Sequence, residues 1–280
     1  MHVADPVHLR SWRAELELHY QRRGPRTVLA ERRHDGPLVV QKPLYPEGEA
    51  VCHTIILHPP AGIVGGDELE IRCDAAADAQ VLLTTPGAGK WYRSAGPWAK
   101  QRLDFNIAAG ACLEWLPQET IVFDGALADM ESRINLAGGA TYIGWEILCL
   151  GRAGSGERYD HGICRLHTQI RRDGKLLWFE KGNIDAGGRI GAAPAGLGGH
   201  SVCATMIVAG NIDAALVAQC REDITDDASI AMTLLPGPLL VARHVGDSGA
   251  AARQHFEKLR VCLRPALTGR PAAEPRIWRT

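Results

Sequence analysis

The sequence predicts a mainly β protein of stacked or sandwiched strands, with about two α-helices toward the C-terminus. Short segments in which apolar and polar residues alternate recur along the chain at fairly regular spacing. The 31 glycines and 16 prolines among 280 residues favour many turns over long helices. Strands do not alternate with helices, which argues against a doubly wound parallel sheet. The length is sufficient for a full core, and we treat residues 1–280 as a single domain.

The N-terminal half is predicted to consist of strands and turns. Alternation of apolar and polar residues over 14–21 predicts a half-buried strand. A hairpin is predicted next, because residues 26–31 and 38–42 flank a His-Asp-Gly-Pro turn signal. Further strands are predicted at 51–58, 68–73, 80–85, 101–107, 134–136 and 142–150.

The C-terminal half contains the predicted helices. Phe256, Leu259 and Leu263 recur at helical spacing, and this helix is expected to end before Pro265, which cannot donate a backbone hydrogen bond. An Arg-Arg-Asp-Gly segment marks one hairpin turn. The predicted elements are strands 164–170, 175–180, 201–209, 231–235 and 239–244, helices 212–221 and 249–263, and an extended tail, 271–280.

Charge and cysteine usage narrow the class of protein. A net charge of −1 and a pI of about 6.8 offer no basic excess for nucleic acid. No apolar run approaches the roughly 20 residues that span a bilayer, and the N-terminus lacks the apolar segment of a signal peptide. The eight cysteines are widely and irregularly spaced, without a C-x-x-C pair. We therefore predict buried free thiols in a cytoplasmic protein that does not bind membranes.

One stretch, residues 113–126, places three carboxylates among large apolar residues. Pro117 excludes a helix interior, the β-branched and aromatic run 120–123 favours a strand, and an Asp-Gly turn follows it. Carboxylates beside a buried strand are costly unless they are paired or bound. Two interpretations stay open: the acids point to solvent at alternate positions, or Glu119 and Asp124 line a binding surface or polar passage.

Two loops rich in proline and glycine carry further polar candidates. In residues 57–67, His58 and Asp67 are either structural, as a satisfied histidine and a turn residue, or functional. In residues 84–94, Lys90 and Arg93 are either solvated cations or partners for the acids of 113–126. A phosphate-binding loop is excluded, because neither loop contains Gly-Lys-Ser/Thr.

No catalytic constellation stands out, and the 11 histidines are scattered. The nearest approaches to ligand pairs are His161 with His167 and Cys52 with His53, so we do not expect a permanently bound zinc ion. This pattern favours a binding or assembly protein over an enzyme. The competing hypothesis is a hydrolase that uses Glu119 and Asp124 as an acid–base pair.

Several of these segments together resemble one family, the urease accessory protein UreD, also called UreH. The resemblance covers most of the chain, in the family's order. It rests on LHPPAGIVGGD (57–67), TTPGAGKWYRS (84–94), the stretch 113–126, Gly151-Arg152 with Gly156-Glu157, and the ending PRIWRT (275–280). In the first segment Ala61 stands where the family usually has glycine.

The resemblance implies a β-helix-like stack of strands and a scaffold in nickel delivery rather than an enzyme. Such a protein would bind apo-urease and UreF, recruit the GTPase UreG through UreF, and pass Ni²⁺ along an internal path without a permanent cofactor. A plain structural subunit without metal traffic is a third hypothesis.

Carried over position by position, the resemblance implies transient nickel contact at Asp67, Glu119, Asp124 and Glu180. It implies that four further residues orient the loops or pair with those acids: His58, Lys90, Arg93 and Arg152. Loosely held carboxylates suit a conduit, because tight Cys/His cages would trap the metal.

Overall fold

A computed structural model describes residues 11–224 and 227–279 of the chain. Within these residues there are seventeen strands: β1 (Arg13–Arg23), β2 (Arg26–Asp35), β3 (Val39–Val40), β4 (Val51–Leu57), β5 (Glu68–Ala75), β6 (Gln80–Thr84), β7 (Gly89–Trp91), β8 (Ala99–Ile107), β9 (Cys112–Leu116), β10 (Thr120–Val122), β11 (Leu127–Leu136), β12 (Thr141–Leu150), β13 (Ile163–Arg172), β14 (Lys175–Asp185), β15 (Val202–Ala209), β16 (Ile230–Leu235) and β17 (Leu239–Gly246). The α-helices of this part are α1 (Arg189–Ala192), α2 (Ala214–Glu222) and α3 (Gly249–Thr268).

The central strands form a β-solenoid of about four turns. Strands β4, β6, β9 and β12 pair in parallel on one side, and β5, β8, β11 and β13 pair in parallel on the other. Each turn of the chain therefore adds one strand to each of two facing sheets. This arrangement gives a parallel sheet without crossover helices, because the connection between parallel neighbours is the strand of the opposite sheet.

Further strands extend both sheets beyond the solenoid. In the first sheet, which contains seven of the described strands, β1 joins β5 in parallel, and β2 and β14 join β1 and β13 in antiparallel orientation. In the second, which contains the other ten, β15, β17 and β16 follow β12 in order. Short β7 and β10 pair with each other, and β10 also pairs with the end of β12.

The main core lies between the two sheets. Side chains alternate across each strand, so Leu113 and Trp115 of β9 point inward and pack with residues such as Phe105 of β8. The intervening Glu114 and Leu116 point to the other side of the second sheet. All five residues of β9 are buried, which shows that both faces of this sheet are covered.

The helical layer covers the outer face of the second sheet. Phe256, Leu259 and Leu263 of α3 are buried against this face, as their helical spacing predicts. Ser248 caps the helix by accepting a hydrogen bond from the backbone N–H of Ala251. A disulfide between Cys220 of α2 and Cys262 of α3 joins the two helices.

A buried ion network fastens α3 to the sheet. Arg260 Nε donates to Glu114 Oε2 at 2.6 Å, and Arg264 Nε donates to Glu114 Oε1 at 2.8 Å. Arg264 also donates to Glu47, whose other partner is His53 Nε2 at 2.6 Å. Each of these groups is desolvated, so the network holds only while every charge keeps its partner.

The predicted class, mainly β with stacked strands and helices toward the C-terminus, is confirmed, with a third short helix, α1, in addition. The predicted hairpin around His34–Pro37 is wrong. Strand β2 turns back at Gly24, which has a φ of +57°, and pairs with β1. The turn at Asp35-Gly36 forms, but it passes the chain to the other sheet, where β3 pairs with β4.

Three local predictions also fail for tertiary reasons. Cys220 and Cys262 are not free thiols, because helix packing brings residues from distant parts of the sequence together. The other six cysteines are free, as predicted; four of them are buried, whereas Cys149 and Cys203 are half-buried. Helix α3 continues through Pro265 to Thr268, since Arg264 is held in the buried network. The tail is not extended throughout, because residues Arg276–Arg279 form a 3-10 turn.

Candidate functional site

Two cavities lie inside the solenoid and share part of their walls. The first, of about 380 Å³, is lined by polar groups that include Thr168, Glu180 and Arg243, and we call it the Glu180 cavity. The second, of about 520 Å³, is lined near its loops by His58 and Lys90, and we call it the Lys90 cavity. Their shared lining residues are Gln101, Trp115 and Glu146. The two cavities therefore meet at Glu146.

Glu146 is an isolated carboxylate in the interior of the protein. It lies on β12 between Trp145 and Ile147, which pack on the helical side of the sheet, so its own side chain points into the solenoid. Burial raises its pKa to about 7, against a smaller lowering by a hydrogen bond from Thr120 Oγ1. Near neutral pH this group exchanges a proton readily, and a cation can compete with that proton for its oxygens.

A charged pair lines the Glu180 cavity. Arg243 Nη2 donates to Glu180 Oε1 at 2.6 Å, and both side chains are partly exposed, at 48% and 34%. Strand register places Arg243 beside Thr205, which in turn lies beside Glu146. Polar residues thus continue across the second sheet from Glu146 toward this pair.

The Lys90 cavity is bounded by the loop 57–67, where Asp67 has a structural role. Asp67 is 4% exposed and accepts backbone hydrogen bonds from Trp12 at 2.8 Å and from Val64 at 2.9 Å. Burial lowers the pKa of His58, and the charge of Asp67 partly opposes this. Ala61 adopts a φ of +63°, which explains why glycine suits this position.

Asp124 also accepts several hydrogen bonds. Its Oδ1 accepts the backbone N–H groups of His161 at 2.7 Å and Asp160 at 2.9 Å, and Arg93 Nη2 lies 3.2 Å from its Oδ2. Partial burial would raise the pKa of Asp124, but the hydrogen bonds from His161 and Asp160 outweigh it, and the pKa is lowered. Of the predicted cations, Arg93 is therefore the one that pairs with Asp124.

Arg152 contacts the same region through a different acid. Its Nε donates to Glu157 Oε2 at 3.0 Å, and its guanidinium lies 4.6 Å from the centre of the Phe123 ring. Glu157 in turn accepts the backbone N–H of Asp124 at 3.1 Å. This set of contacts fixes the end of the 113–126 stretch against the loop that follows β12.

Glu119 lies apart from these groups. Its Oε1 is 3.6 Å from Arg253 Nη1 of α3, and it lines a third cavity of about 450 Å³ together with Lys90, Cys149 and Arg152. In the described part of the chain no contact joins Glu119 to Asp124. The four predicted acids therefore occupy four separate environments, and of these four only Glu180 lines one of the two interior cavities.

Residues 11–224 and 227–279 contain no group of three or more His, Cys, Asp or Glu side chains that could hold a metal ion. Sequence reasoning missed Glu146, Gln101 and Arg243. A signal for Glu146 was present, because it is the single charged residue in the otherwise apolar run of β12. Gln101 and Arg243 carry no such signal, since their strands alternate in the ordinary way. Over the same residues, no helix is long and apolar enough to cross a membrane.

Comparison with known proteins shows the family of this chain. The family profile described as UreD urease accessory protein matches residues 13–279. The urease accessory protein UreD of Azoarcus sp. (strain BH72) is 52% identical over 281 residues, which covers 100% of this chain and 97% of the relative. The UreD proteins of Dechloromonas aromatica (strain RCB) and Methylobacillus flagellatus are 51% and 46% identical, covering 99% and 96% of this chain and 98% and 95% of the relatives.

The fold and the site define a class of protein: a β-solenoid with partly polar cavities in its apolar interior, covered on one sheet by helices. Within that class the chain belongs to the UreD urease accessory protein family. Membership of this family implies a role in urease maturation, and the family's names indicate a maturation factor rather than a catalytic enzyme.

Proposed function

We propose that this chain is a non-enzymatic, cytoplasmic scaffold that helps deliver Ni²⁺ to apo-urease. In this role it binds apo-urease and UreF, and it recruits the GTPase UreG through UreF. Nickel is the cargo of this process and not a resident cofactor. The names of the relatives support the maturation role, and the interior of the solenoid supports a path for the metal.

The observation that carries the proposal is the shared wall of the two interior cavities at Glu146. A path for an ion needs polar groups along its length and weak ligands that release the ion. Carboxylate, amide and hydroxyl oxygens meet this requirement better than clustered thiolates and imidazoles do. Glu146, Gln101 and Thr168 supply such oxygens, and a carboxyl group with a pKa of about 7 can take up the cation in exchange for its proton.

Glu180 is the second proposed contact for nickel. Its pairing with Arg243 means that the guanidinium must move, or share the carboxylate, when a cation passes. Asp67 and Asp124 already accept several hydrogen bonds, which supports a loop-fixing role for them over direct nickel contact. Glu119 remains a candidate contact for nickel because it lines the third cavity.

The test is co-expression of urease subunits, UreF and UreG with this chain or its Glu146→Gln variant. We expect the nickel content of urease and its urea hydrolysis to fall several-fold with the variant, because glutamine keeps the size of the side chain but cannot become an anion. Co-purification with UreF should not change. Glu131→Gln is the matched control, since Glu131 lies on the outer face of the first sheet and pairs with Arg133.

Two results would contradict the proposal at different levels. Normal nickel loading with Glu146→Gln would overturn the interior path while leaving the scaffold role intact. Normal urease maturation without this chain would overturn the maturation role itself, and a screen of the isolated chain for hydrolysis would then follow. The hydrolase alternative has no support from geometry, because Glu119 and Asp124 have different partners.

A further inference from the structure

We propose that His244 and His255 form a binding site for a divalent transition-metal ion between β17 and α3. The Nδ1 atoms of the two rings face each other at 3.2 Å. Both residues are buried, at 2% and 8% exposed. Leu240 and Ala242 of β17 pack on the helical side, so His244 also points to that side, although it contributes to the wall of the Glu180 cavity. The pair lies on the opposite face of the sheet from Glu146.

The contact with Asp227 sets which ring nitrogen of His255 faces His244 with a lone pair. Asp227 Oδ2 lies 3.0 Å from His255 Nε2, so the ring donates its Nε2–H to the carboxylate and presents a lone pair at Nδ1. Asp227 is itself fixed, because its Oδ1 accepts the backbone N–H of Ser229 at 2.8 Å. An imidazole whose far nitrogen is held by a carboxylate is the arrangement that orients histidine ligands of metals.

His244 can supply the second nitrogen ligand. Two bare nitrogens would repel at this distance, so without a metal the His244 Nδ1–H points at His255. Among the described residues His244 Nε2 has no hydrogen-bond partner, so no neighbour prevents the proton from moving to that nitrogen. Burial and the neighbouring His255 lower the pKa of His244, which keeps the ring neutral and able to bind a metal at neutral pH.

The separation of the two nitrogens matches that of two ligands on one ion, and the rings turn on binding so that both lone pairs point at it. Two nitrogens bound at about 2.0–2.1 Å in a tetrahedral or octahedral geometry lie roughly 2.8–3.4 Å apart. Ser229 Oγ, 3.2 Å from His244 Nδ1, offers a third donor. Nitrogen donors favour Cu²⁺, Ni²⁺, Zn²⁺ and Co²⁺ over Mg²⁺ or Ca²⁺. With water in the remaining positions, binding should be exchangeable and should tie α3 to the sheet.

The charges near the pair do not oppose a cation. The exposed carboxylate of Asp227 is the closest charge to His255, and His200 is paired with Asp247 at 2.9 Å. The nearest arginine in sequence, Arg243, lies on the opposite face of the sheet and binds Glu180. A divalent ion at the pair therefore meets a net negative neighbourhood.

The test is titration of the full-length chain, alone or in complex with UreF, with Co²⁺ by absorption spectroscopy and with Zn²⁺ by calorimetry. We expect one site that is lost in His244→Gln and His255→Gln. It should be weakened ~10-fold in Asp227→Asn, which removes the orienting charge from an exposed residue and leaves the core intact. His200→Gln is the matched histidine control and should bind as the wild type does.

The outcomes separate this site from the interior path. Glu146→Gln should retain the site in full, whether or not it impairs nickel delivery. Circular dichroism of the metal-free variants shows whether loss of binding is loss of fold. Two outcomes would overturn the proposal: the wild type binds neither Co²⁺ nor Zn²⁺, or His255→Gln and Asp227→Asn bind these ions as tightly as the wild type does. The pair would then be two histidines that share a proton.

Discussion

Glu114 and Glu146 lie on neighbouring strands of the same sheet, β9 and β12, and face opposite sides of it. Glu114 points to the helical layer, where its two oxygens accept hydrogen bonds from Arg260 and Arg264. Glu146 points to the solenoid interior, where the hydroxyl of Thr120 is its hydrogen-bond donor and burial raises its pKa to about 7. Both oxygens of Glu114 bind arginine side chains, whereas Glu146 has no cationic partner among the described residues and can still bind a cation.

This difference distinguishes a buried acid that holds the fold from one that is available to a ligand. Two guanidinium groups compensate the desolvation of Glu114, so the group gains nothing from a further cation. Glu146 lacks such compensation, and a proton or a passing cation lowers its energy. The same residue type therefore serves structure on one face of the sheet and suits transport on the other.

The largest expected effect on stability comes from disrupting the buried ion network on the helical side of the second sheet. Arg264→Ala leaves Glu114 and Glu47 with an incomplete set of partners in a desolvated layer, and it should lower the free energy of unfolding by about 3–5 kcal/mol. Urea denaturation measures this change. Arg279→Ala is the control, since Arg279 is 75% exposed and pairs with Glu274 at the surface. A loss below about 1 kcal/mol for Arg264→Ala would show that the network is not needed.

The disulfide is the next element to break on the same side. Cys220→Ala should lower the free energy of unfolding by about 2–4 kcal/mol under oxidising conditions, because the bridge closes a long loop in the unfolded chain. Dithiothreitol should lower the stability of the wild type but not that of the variant. If the denatured, unreduced wild type titrates with eight thiols, the bridge is absent in solution.

On the interior side, Glu146→Gln should stabilise the protein at alkaline pH. Because the folded pKa of about 7 exceeds the ordinary value of 4.5, the folded wild type binds more protons between these values and loses stability as the pH rises through them. The variant should therefore exceed the wild type by about 3 kcal/mol at pH 8, with the gain vanishing below pH 4.5. Unfolding at both pH values tests this, and a pH-independent difference would contradict it.

The smallest effect on stability is expected at the mouth of the Glu180 cavity. Arg243→Ala should change the free energy of unfolding by less than about 1 kcal/mol, because the Arg243–Glu180 pair is substantially exposed to solvent. Under the proposed path, the same variant should alter the rate of nickel loading of urease. A large loss of stability would instead show that the Arg243–Glu180 pair stabilises the fold, as the contacts of Glu114 do.

The sequence predicted much of the fold and less of the site. Strands with alternating polarity and the spacing of Phe256, Leu259 and Leu263 were sufficient to predict sheets and the long helix. The hairpin at Asp35-Gly36 was predicted wrongly, because a turn signal fixes where the chain turns but not which strand it meets. Glu119 and Asp124 were grouped by proximity in sequence, although they contact different elements.

By itself, the sequence determined the strand content, the helical face of α3, and the family, because these depend on local periodicity and on segments that keep their order. Tertiary structure decided which of the acids on apolar strands have arginine partners. Glu114 and Glu146 both interrupt apolar strands, and local patterns do not distinguish them. Their partners come from positions more than a hundred residues away in one case and from a neighbouring strand in the other. Only the stacking of the solenoid turns and the docking of α3 bring such groups together, and this sets the charge that each acid carries.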